Sequence, residues 1–141
     1  MTPIMLVTAD KEMVRWAKAA LRDSTAKIAV ECSTVKAAVD ELAKNQVAMV
    51  VLDLFLPGSS GIELLKSLKR VNENCVTLLL SRMRTRLLLE RAFRQGAQDV
   101  LLYPVSAEIF RDTILHRLAT EPLVEADASA EAQQKPARGK K

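Results

Sequence analysis

The chain has 141 residues and a formal net charge of +4, with 49% hydrophobic and 27% charged residues. This length suits one domain with a core of its own, and the composition is ordinary for a globular protein. The two cysteines, Cys32 and Cys75, are too few for a disulfide framework. Their apolar surroundings predict reduced, buried side chains.

The sequence contains no apolar segment of the roughly eighteen residues that would cross a bilayer. The apolar run Ile4–Val7 is too short for a signal peptide, and no basic region precedes it. We therefore expect a cytoplasmic protein that makes no use of a membrane. Residues 121–141 are poor in apolar side chains and end in KPARGKK, which predicts a disordered, basic-ended tail after a domain at residues 1–120.

The first half of the chain alternates short apolar runs with amphipathic stretches. Ile4–Thr8 predicts a strand, and Lys11–Leu21 follows with apolar residues three and four apart, the spacing of a helix. The same pair recurs as a strand over Ile28–Cys32 and a helix over Thr34–Lys44. Ala48–Leu52 is then a continuous apolar run, which is typical of a strand buried on both faces of a parallel sheet.

The second half continues the alternation. After a Pro-Gly loop a third helix opens at Gly61, and Val76–Leu80 predicts a fourth strand. Thr85–Gln95 predicts a fourth helix, Val100–Tyr103 a fifth strand and Ser106–Leu118 a fifth helix. Five strands in strict alternation with five helices predict an α/β fold with a doubly wound parallel sheet.

In such a sheet, functional residues lie at the carboxyl ends of the strands. Those ends are Thr8–Asp10, Asp53, Ser81 and Tyr103. The sequence contains no glycine-rich dinucleotide motif and no P-loop, so we do not expect a nucleotide-binding enzyme.

An apolar strand, an Asp, a Pro-Gly loop and a helix opening at Gly follow one another in VVLDLFLPGSSGIELLKSLK. This order closely resembles the signature of response-regulator receiver domains. The later segment QGAQDVLLYPVS resembles the fifth-strand region of that family, which typically reads Gly-Ala-x-x-Tyr-x-x-Lys-Pro. The resemblance runs from about Ile4 to Ala119 and implies a flavodoxin-like receiver fold.

The resemblance implies that Asp53 is the phosphoacceptor and that the Ser81 hydroxyl contacts the phosphoryl group. A carboxylate at a strand end is suited to act as a nucleophile in phosphoryl transfer. The phosphodonor would be a histidine kinase or a phosphotransfer protein, and the domain would signal rather than act as an enzyme. Strand 5 departs from the family at two positions, because Tyr103 replaces the usual lysine and Val100 replaces the aromatic switch residue.

The first strand departs from the family more strongly. Thr8 and Ala9 occupy the positions of two acids that hold Mg²⁺ in the family. Asp10 could serve in part as a metal ligand beside Asp53, or it could cap the first helix, which the sequence favours. Since Mg²⁺ needs several oxygen ligands in octahedral geometry, we expect a weak or absent Mg²⁺ site.

Two functions follow from this mixture of kept and replaced residues. The first is a phosphorelay receiver domain. The alternative is a phosphorylation-independent module that docks a partner through the face made by helix 4, strand 5 and helix 5. The resemblance assigns partner and homodimer contacts to that face, where the sequence places four arginines in helix 4, close to Arg82: Arg84, Arg86, Arg91 and Arg94. Arginine suits carboxylate recognition, which predicts an acidic protein partner. No aromatic platform is interleaved with the arginines, so nucleic acid is not expected.

Overall fold

The computed structural model describes residues 2–58, 61–83 and 85–120. Its centre is one sheet of five parallel strands in the order β2-β1-β3-β4-β5. The strands are β1 (Thr2–Val7), β2 (Ala26–Cys32), β3 (Met49–Asp53), β4 (Val76–Ser81) and β5 (Asp99–Leu102). This order places β3 between β1 and β4 in the middle of the sheet.

Five helices connect and cover the strands. They are α1 (Lys11–Ala20), α2 (Val35–Lys44), α3 (Gly61–Val71), α4 (Arg86–Arg94) and α5 (Ala107–Thr120). Side-chain caps begin four of them, because Asp10, Thr34, Thr85 and Ser106 each accept a hydrogen bond from an amide of the first turn. The caps explain why these helices start one residue after a short polar side chain.

The sheet separates two hydrophobic cores. One core lies under α1 and α5, where Met13, Phe110 and Ile114 are fully buried. The other lies under α2 and α3 and takes in Ala92, the buried residue of α4. All five residues of β3 are buried, because both faces of this strand are covered. Asp53 is therefore held at the end of a strand that is buried along its whole length.

The predicted fold class is confirmed: a five-stranded parallel sheet, doubly wound, with five helices. The bounds differ from the predicted ones by one or two residues. β3 includes Asp53, and β5 ends at Leu102, so Tyr103 begins the following loop instead of ending the strand. The predicted tail at 121–141 lies outside the described residues.

Cys32 and Cys75 are free and buried, as the sequence predicted. Burial raises the pKa of both thiols, so neither has the thiolate character of a reactive cysteine. Over residues 2–58, 61–83 and 85–120, no helix is both long and apolar enough to cross a membrane.

Candidate functional site

The carboxyl ends of β1, β3 and β4 meet at one edge of the sheet. In the register, Val7 of β1 pairs with Leu52, and Leu80 of β4 pairs with Asp53. The residues that follow these pairs therefore surround Asp53. The structure thus brings together Thr8, Asp53 and Ser81, which the sequence placed at separate strand ends.

Asp53 is buried, with 2% of its surface exposed. Its Oδ2 accepts a hydrogen bond of 2.8 Å from the Thr8 hydroxyl, and its Oδ1 accepts one of 2.9 Å from the Phe55 amide. A buried carboxylate is stable only when such donors replace the water that it loses. These two donors orient the carboxylate and leave each oxygen a further lone pair.

Thr8 is the residue that holds Asp53 from the neighbouring strand. It is 4% exposed, and while its hydroxyl donates to Asp53 it accepts a hydrogen bond of 3.0 Å from the Asp10 amide. A second acid at this position would place a like charge beside Asp53. Thr8 instead supplies an uncharged hydrogen-bond donor. The sequence had indicated only that a metal-binding acid of the family is replaced at this position.

Asp10 caps α1, which was the role the sequence favoured. Its Oδ1 accepts hydrogen bonds from the amides of Glu12 at 2.9 Å and Met13 at 3.3 Å. Its Oδ2 accepts one of 2.9 Å from the Arg82 guanidinium. The Arg82 hydrogen bond holds the pKa of the Asp10 carboxyl below its ordinary value, with partial burial opposing it and the two amides acting with Arg82.

Arg82 also belongs to this group of contacts, and the sequence had given it no role. It directly follows Ser81 at the end of β4, and its guanidinium carbon lies 4.8 Å from the centre of the Tyr103 ring and 5.9 Å from that of Phe55. Both distances are within the range of a cation–π contact. The available signal was its place immediately after a strand end, whereas the run of arginines drew attention to the fourth helix.

Ser81 is buried, and its hydroxyl closes the turn after β4. The hydroxyl donates to the Met83 carbonyl at 2.7 Å and accepts from the Met83 amide at 3.1 Å. These bonds keep it in the loop beside Asp53. A phosphoryl contact from Ser81 would therefore require its hydroxyl to exchange the Met83 carbonyl for the new acceptor.

Tyr103 lies at the same edge, in the position of the family lysine. Its amide donates to the Ser81 carbonyl at 2.7 Å, and the peptide bond to Pro104 is cis. Its ring packs edge-on against Trp16, with centroids 5.1 Å apart. Burial raises the pKa of the Tyr103 phenol, and the Asp10 carboxylate adds to the rise, so the phenol stays uncharged near neutral pH.

The residues at this edge do not fit an Mg²⁺ site as they are arranged. In the part of the chain that the structure describes, no three His, Cys, Asp or Glu residues cluster to hold a metal ion. Ala9 has no donor atom, and both oxygens of Asp10 are occupied by the α1 amides and Arg82. Asp53 alone would be a poor set of ligands for an ion that needs octahedral coordination.

Val100 leaves space where the family has an aromatic residue. It is half-buried on β5 and lines a cleft of about 180 Å³ together with Ser81, Met83, Leu89 and Leu102. Valine has no ring that could move between the core and the surface. The switch side chain of the family therefore has no counterpart at this position.

The surface of α4 carries the predicted arginines. Arg86, Arg91 and Arg94 are exposed, and Arg86 pairs with Glu90 at 3.1 Å. Arg84, which the sequence assigned to the same helix, lies outside the described residues; α4 begins at Arg86. Exposed apolar side chains accompany the arginines, namely Leu87, Phe93, Leu102 and Ile109.

Comparisons with known proteins all indicate the same family. The sequence profile described as response regulator receiver domain matches residues 4–115. The chain is 29% identical over 81% of its length to a cyclic di-GMP phosphodiesterase of Thermotoga maritima, covering 30% of that protein. It is 27% identical over 55% of its length to sporulation initiation phosphotransferase F of Bacillus subtilis, covering 62% of that protein.

A solved structure has the same fold. The crystal structure of a CheY-like response regulator receiver domain protein from Methanospirillum hungatei JF-1 superimposes with a TM-score of 0.79 at 16% sequence identity. The match covers 86% of this chain and 96% of that chain. The chain thus matches nearly the whole length of this receiver domain structure. It spans only about a third to two thirds of the length of the two curated relatives above.

Replacing Thr8 with valine should destabilise the protein by about 1–3 kcal/mol, because the buried Asp53 carboxylate loses one of its two donors. Urea unfolding at neutral pH measures this loss. Thr77→Val is the matched control, since Thr77 is equally buried but its hydroxyl makes only a long contact of 3.5 Å to the Cys75 carbonyl. Equal losses in the two variants would contradict a stabilising role of the Thr8–Asp53 hydrogen bond.

The Asp10–Arg82 pair should make stability depend on acid pH. The folded-state pKa of Asp10 is lower than its ordinary value of 3.8, so the contribution of the charged carboxylate is present above that value and is lost as the pH falls through the folded pKa. Asparagine caps helices about as well as aspartate. Urea unfolding should therefore show wild type more stable than Asp10→Asn at pH 6, with the difference shrinking below about pH 4; a difference that does not change with pH would show that the Asp10 charge has no role.

Proposed function

Because the chain belongs to the response regulator receiver domain family, we propose that Asp53 is the side chain on which it receives a phosphoryl group. The chain is a receiver domain of two-component response regulators, which work in phosphorelays. The observation that supports the assignment to Asp53 is its position. It ends the central strand, and the Thr8 hydroxyl and the Phe55 amide fix both of its oxygens.

The reaction would be an in-line displacement at phosphorus. A carboxylate oxygen of Asp53 forms a bond to phosphorus, while the bond from phosphorus to the donor atom breaks and the donor leaves with that electron pair. The Phe55 amide and the Thr8 hydroxyl orient the Asp53 carboxylate. Each carboxylate oxygen keeps a free lone pair that can attack phosphorus. Ser81 lies at the same edge and would donate its hydroxyl to a phosphoryl oxygen.

The phosphoryl donor would be a histidine kinase or a phosphotransfer protein. Receiver domains interact with such proteins and can form dimers. The relative from Bacillus subtilis is named a sporulation initiation phosphotransferase, which supports a phosphotransfer protein as the donor class. Receiver domains generally signal rather than catalyse, and we expect no turnover of a small substrate by this domain.

Receiver domains typically bind Mg²⁺ at the phosphorylation site. We propose that this one binds it weakly or not at all, because Ala9 has no donor and Asp10 is engaged with α1 and Arg82. Reaction on Asp53 would then be slow without a dedicated protein donor. The alternative, a module that docks its partner without phosphorylation, gains no support over the phosphorelay function from the similar proteins.

We assign partner contacts to the α4 surface formed by Arg86, Arg91, Arg94, Leu87 and Phe93. Three exposed arginines favour an acidic protein, and two exposed apolar side chains add area that a partner can bury. Glu90 forms an ion pair with Arg86 and so offsets part of this charge. A second copy of the chain is a less suitable partner for this surface, because it would bring the same positive charge.

Incubation with a small phosphodonor should add the mass of one phosphoryl group to the wild type, and Asp53→Asn should abolish the gain because amides are poor nucleophiles. Intact mass spectrometry measures the gain. Asp40→Asn, at an exposed position in the Lys36 ion pair, is the matched control and should react as the wild type does. A gain that persists in Asp53→Asn would place the phosphoryl group elsewhere.

Charge reversal on α4 should remove partner binding. In pull-downs from the source lysate, the double variant Arg86→Glu, Arg91→Glu should retain fewer proteins than the wild type, and added salt should weaken wild-type binding because exposed charges are screened. The control variant Lys27→Glu, Lys36→Glu changes the same charge at exposed residues of β2 and α2. If the α4 variant captures the same proteins as the control, this surface is not the docking site.

A further inference from the structure

Arg82 touches three of the loops that surround Asp53. From the end of β4 its guanidinium reaches Asp10 after β1, at 2.9 Å, and the rings of Phe55 after β3 and Tyr103 after β5. Only 35% of its side-chain surface is exposed. These contacts position the guanidinium although Arg82 is an exposed residue.

Phosphoryl transfer needs positive charge at this edge of the sheet. Charge on the three non-bridging oxygens must be balanced, and metal ions and basic side chains usually do so. The metal-binding acids are absent here, and Tyr103 is neutral at the lysine position. The fold nevertheless places a guanidinium directly after Ser81, where its planar donors can match phosphoryl oxygens in pairs.

The neighbourhood of Arg82 also has room for an anion. Arg82 and Ser81 line a cleft of about 140 Å³ with Leu54 and Phe55, the two residues that follow Asp53. This volume is several times that of a water molecule, which occupies about 30 Å³ in the liquid. There is therefore free space between Arg82 and the two residues that directly follow Asp53.

The present partner of Arg82 is replaceable. If the guanidinium turned from Asp10 to a phosphoryl oxygen, Asp10 would keep its hydrogen bonds from the Glu12 and Met13 amides. Stacking on the Tyr103 ring does not depend on Asp10, so it can hold the guanidinium at the site while its hydrogen-bond partner changes. In the unmodified protein, the ion pair with Asp10 then keeps the Arg82 guanidinium close to the site.

We propose that Arg82 is a catalytic residue that supplies the positive charge for phosphorylation of Asp53 in place of Mg²⁺ and the family lysine. The proposal rests on the proposed function of Asp53 and deepens it. As the bond from Asp53 to phosphorus forms and the bond to the donor breaks, Arg82 exchanges the Asp10 carboxylate for the phosphoryl oxygens. The reaction therefore proceeds without a divalent metal, and the acyl phosphate remains paired with Arg82.

The test uses the full chain and phosphoramidate as the donor, with the initial rate of mass gain measured in EDTA and in Mg²⁺. The wild type should react at similar rates in both. Arg82→Gln should be slower by roughly tenfold to hundredfold, the usual effect of removing a donor that stabilises developing charge. Arg82→Lys keeps the charge and should recover part of the rate.

Two further variants separate catalysis from structure. Asp10→Asn keeps a good cap for α1 but frees Arg82, and should react at least as fast as the wild type. Arg111→Gln removes an arginine from an ion pair with Asp112 on α5, and should leave the rate unchanged. Trp16 packs against Tyr103, so its fluorescence during unfolding reports whether each variant is folded; if Arg82→Gln is not, the lysine and Asp10→Asn variants decide.

Several outcomes would overturn the role of Arg82 while leaving Asp53 as the phosphoacceptor. These are a wild-type rate in Arg82→Gln, a mass gain that requires Mg²⁺ in the wild type, and a slower reaction in Asp10→Asn. The absence of any mass gain in both buffers would instead contradict the proposed function of Asp53. The proposal for Arg82 would then fail with it.

Discussion

The hydrogen bond from Thr8 to Asp53 is the interaction on which this site depends. A charged carboxylate at the end of a strand that is buried on both faces needs donors at fixed positions. The parallel order β1-β3-β4 supplies them, because it brings the residue after β1 and the loop after β3 to opposite oxygens of Asp53. The fold thereby fixes the Asp53 carboxylate through both of its oxygens.

The replacements at this edge change how its charge is balanced. A pair of acids beside Asp53 would create repulsion that a bound cation relieves. Thr8 and Ala9 remove that repulsion, and Asp10, an acid close to the site, is paired with Arg82. The positively charged group at this edge is therefore a side chain of the protein, Arg82. The rings of Phe55 and Tyr103 and the Asp10 carboxylate hold it in place.

The sequence predicted much of the fold because hydrophobic periodicity marks each element. Ala48–Leu52 was assigned to a strand buried on both faces, and the structure confirms a fully buried β3. Thr34, the first residue of the predicted helix, is the cap of α2, so the helix itself begins one residue later at Val35. The end of β5 was misplaced by one residue, since an apolar Tyr103 continues the hydrophobic run while its chain has already left the ladder.

The contacts of the site were less predictable, because they join residues far apart in the chain. Thr8 and Asp53 are 45 positions apart, and Asp10 and Arg82 are 72 apart. Sequence spacing within one helix or strand cannot reveal such pairs; they follow from the strand order. The resemblance to receiver domains pointed to Asp53 and Ser81 as site residues. It marked Thr8 only as the replacement of a metal-binding acid, and it gave Arg82 no role.

The most direct measurement of this account is the ¹⁹F NMR spectrum of the full chain with beryllofluoride, an analogue of a phosphoryl group, in the presence of EDTA. We expect resonances of bound fluoride in the absence of a divalent metal, and we expect these resonances to disappear in Asp53→Asn. Bound resonances that appear only after Mg²⁺ is added, or that persist in Asp53→Asn, would contradict it.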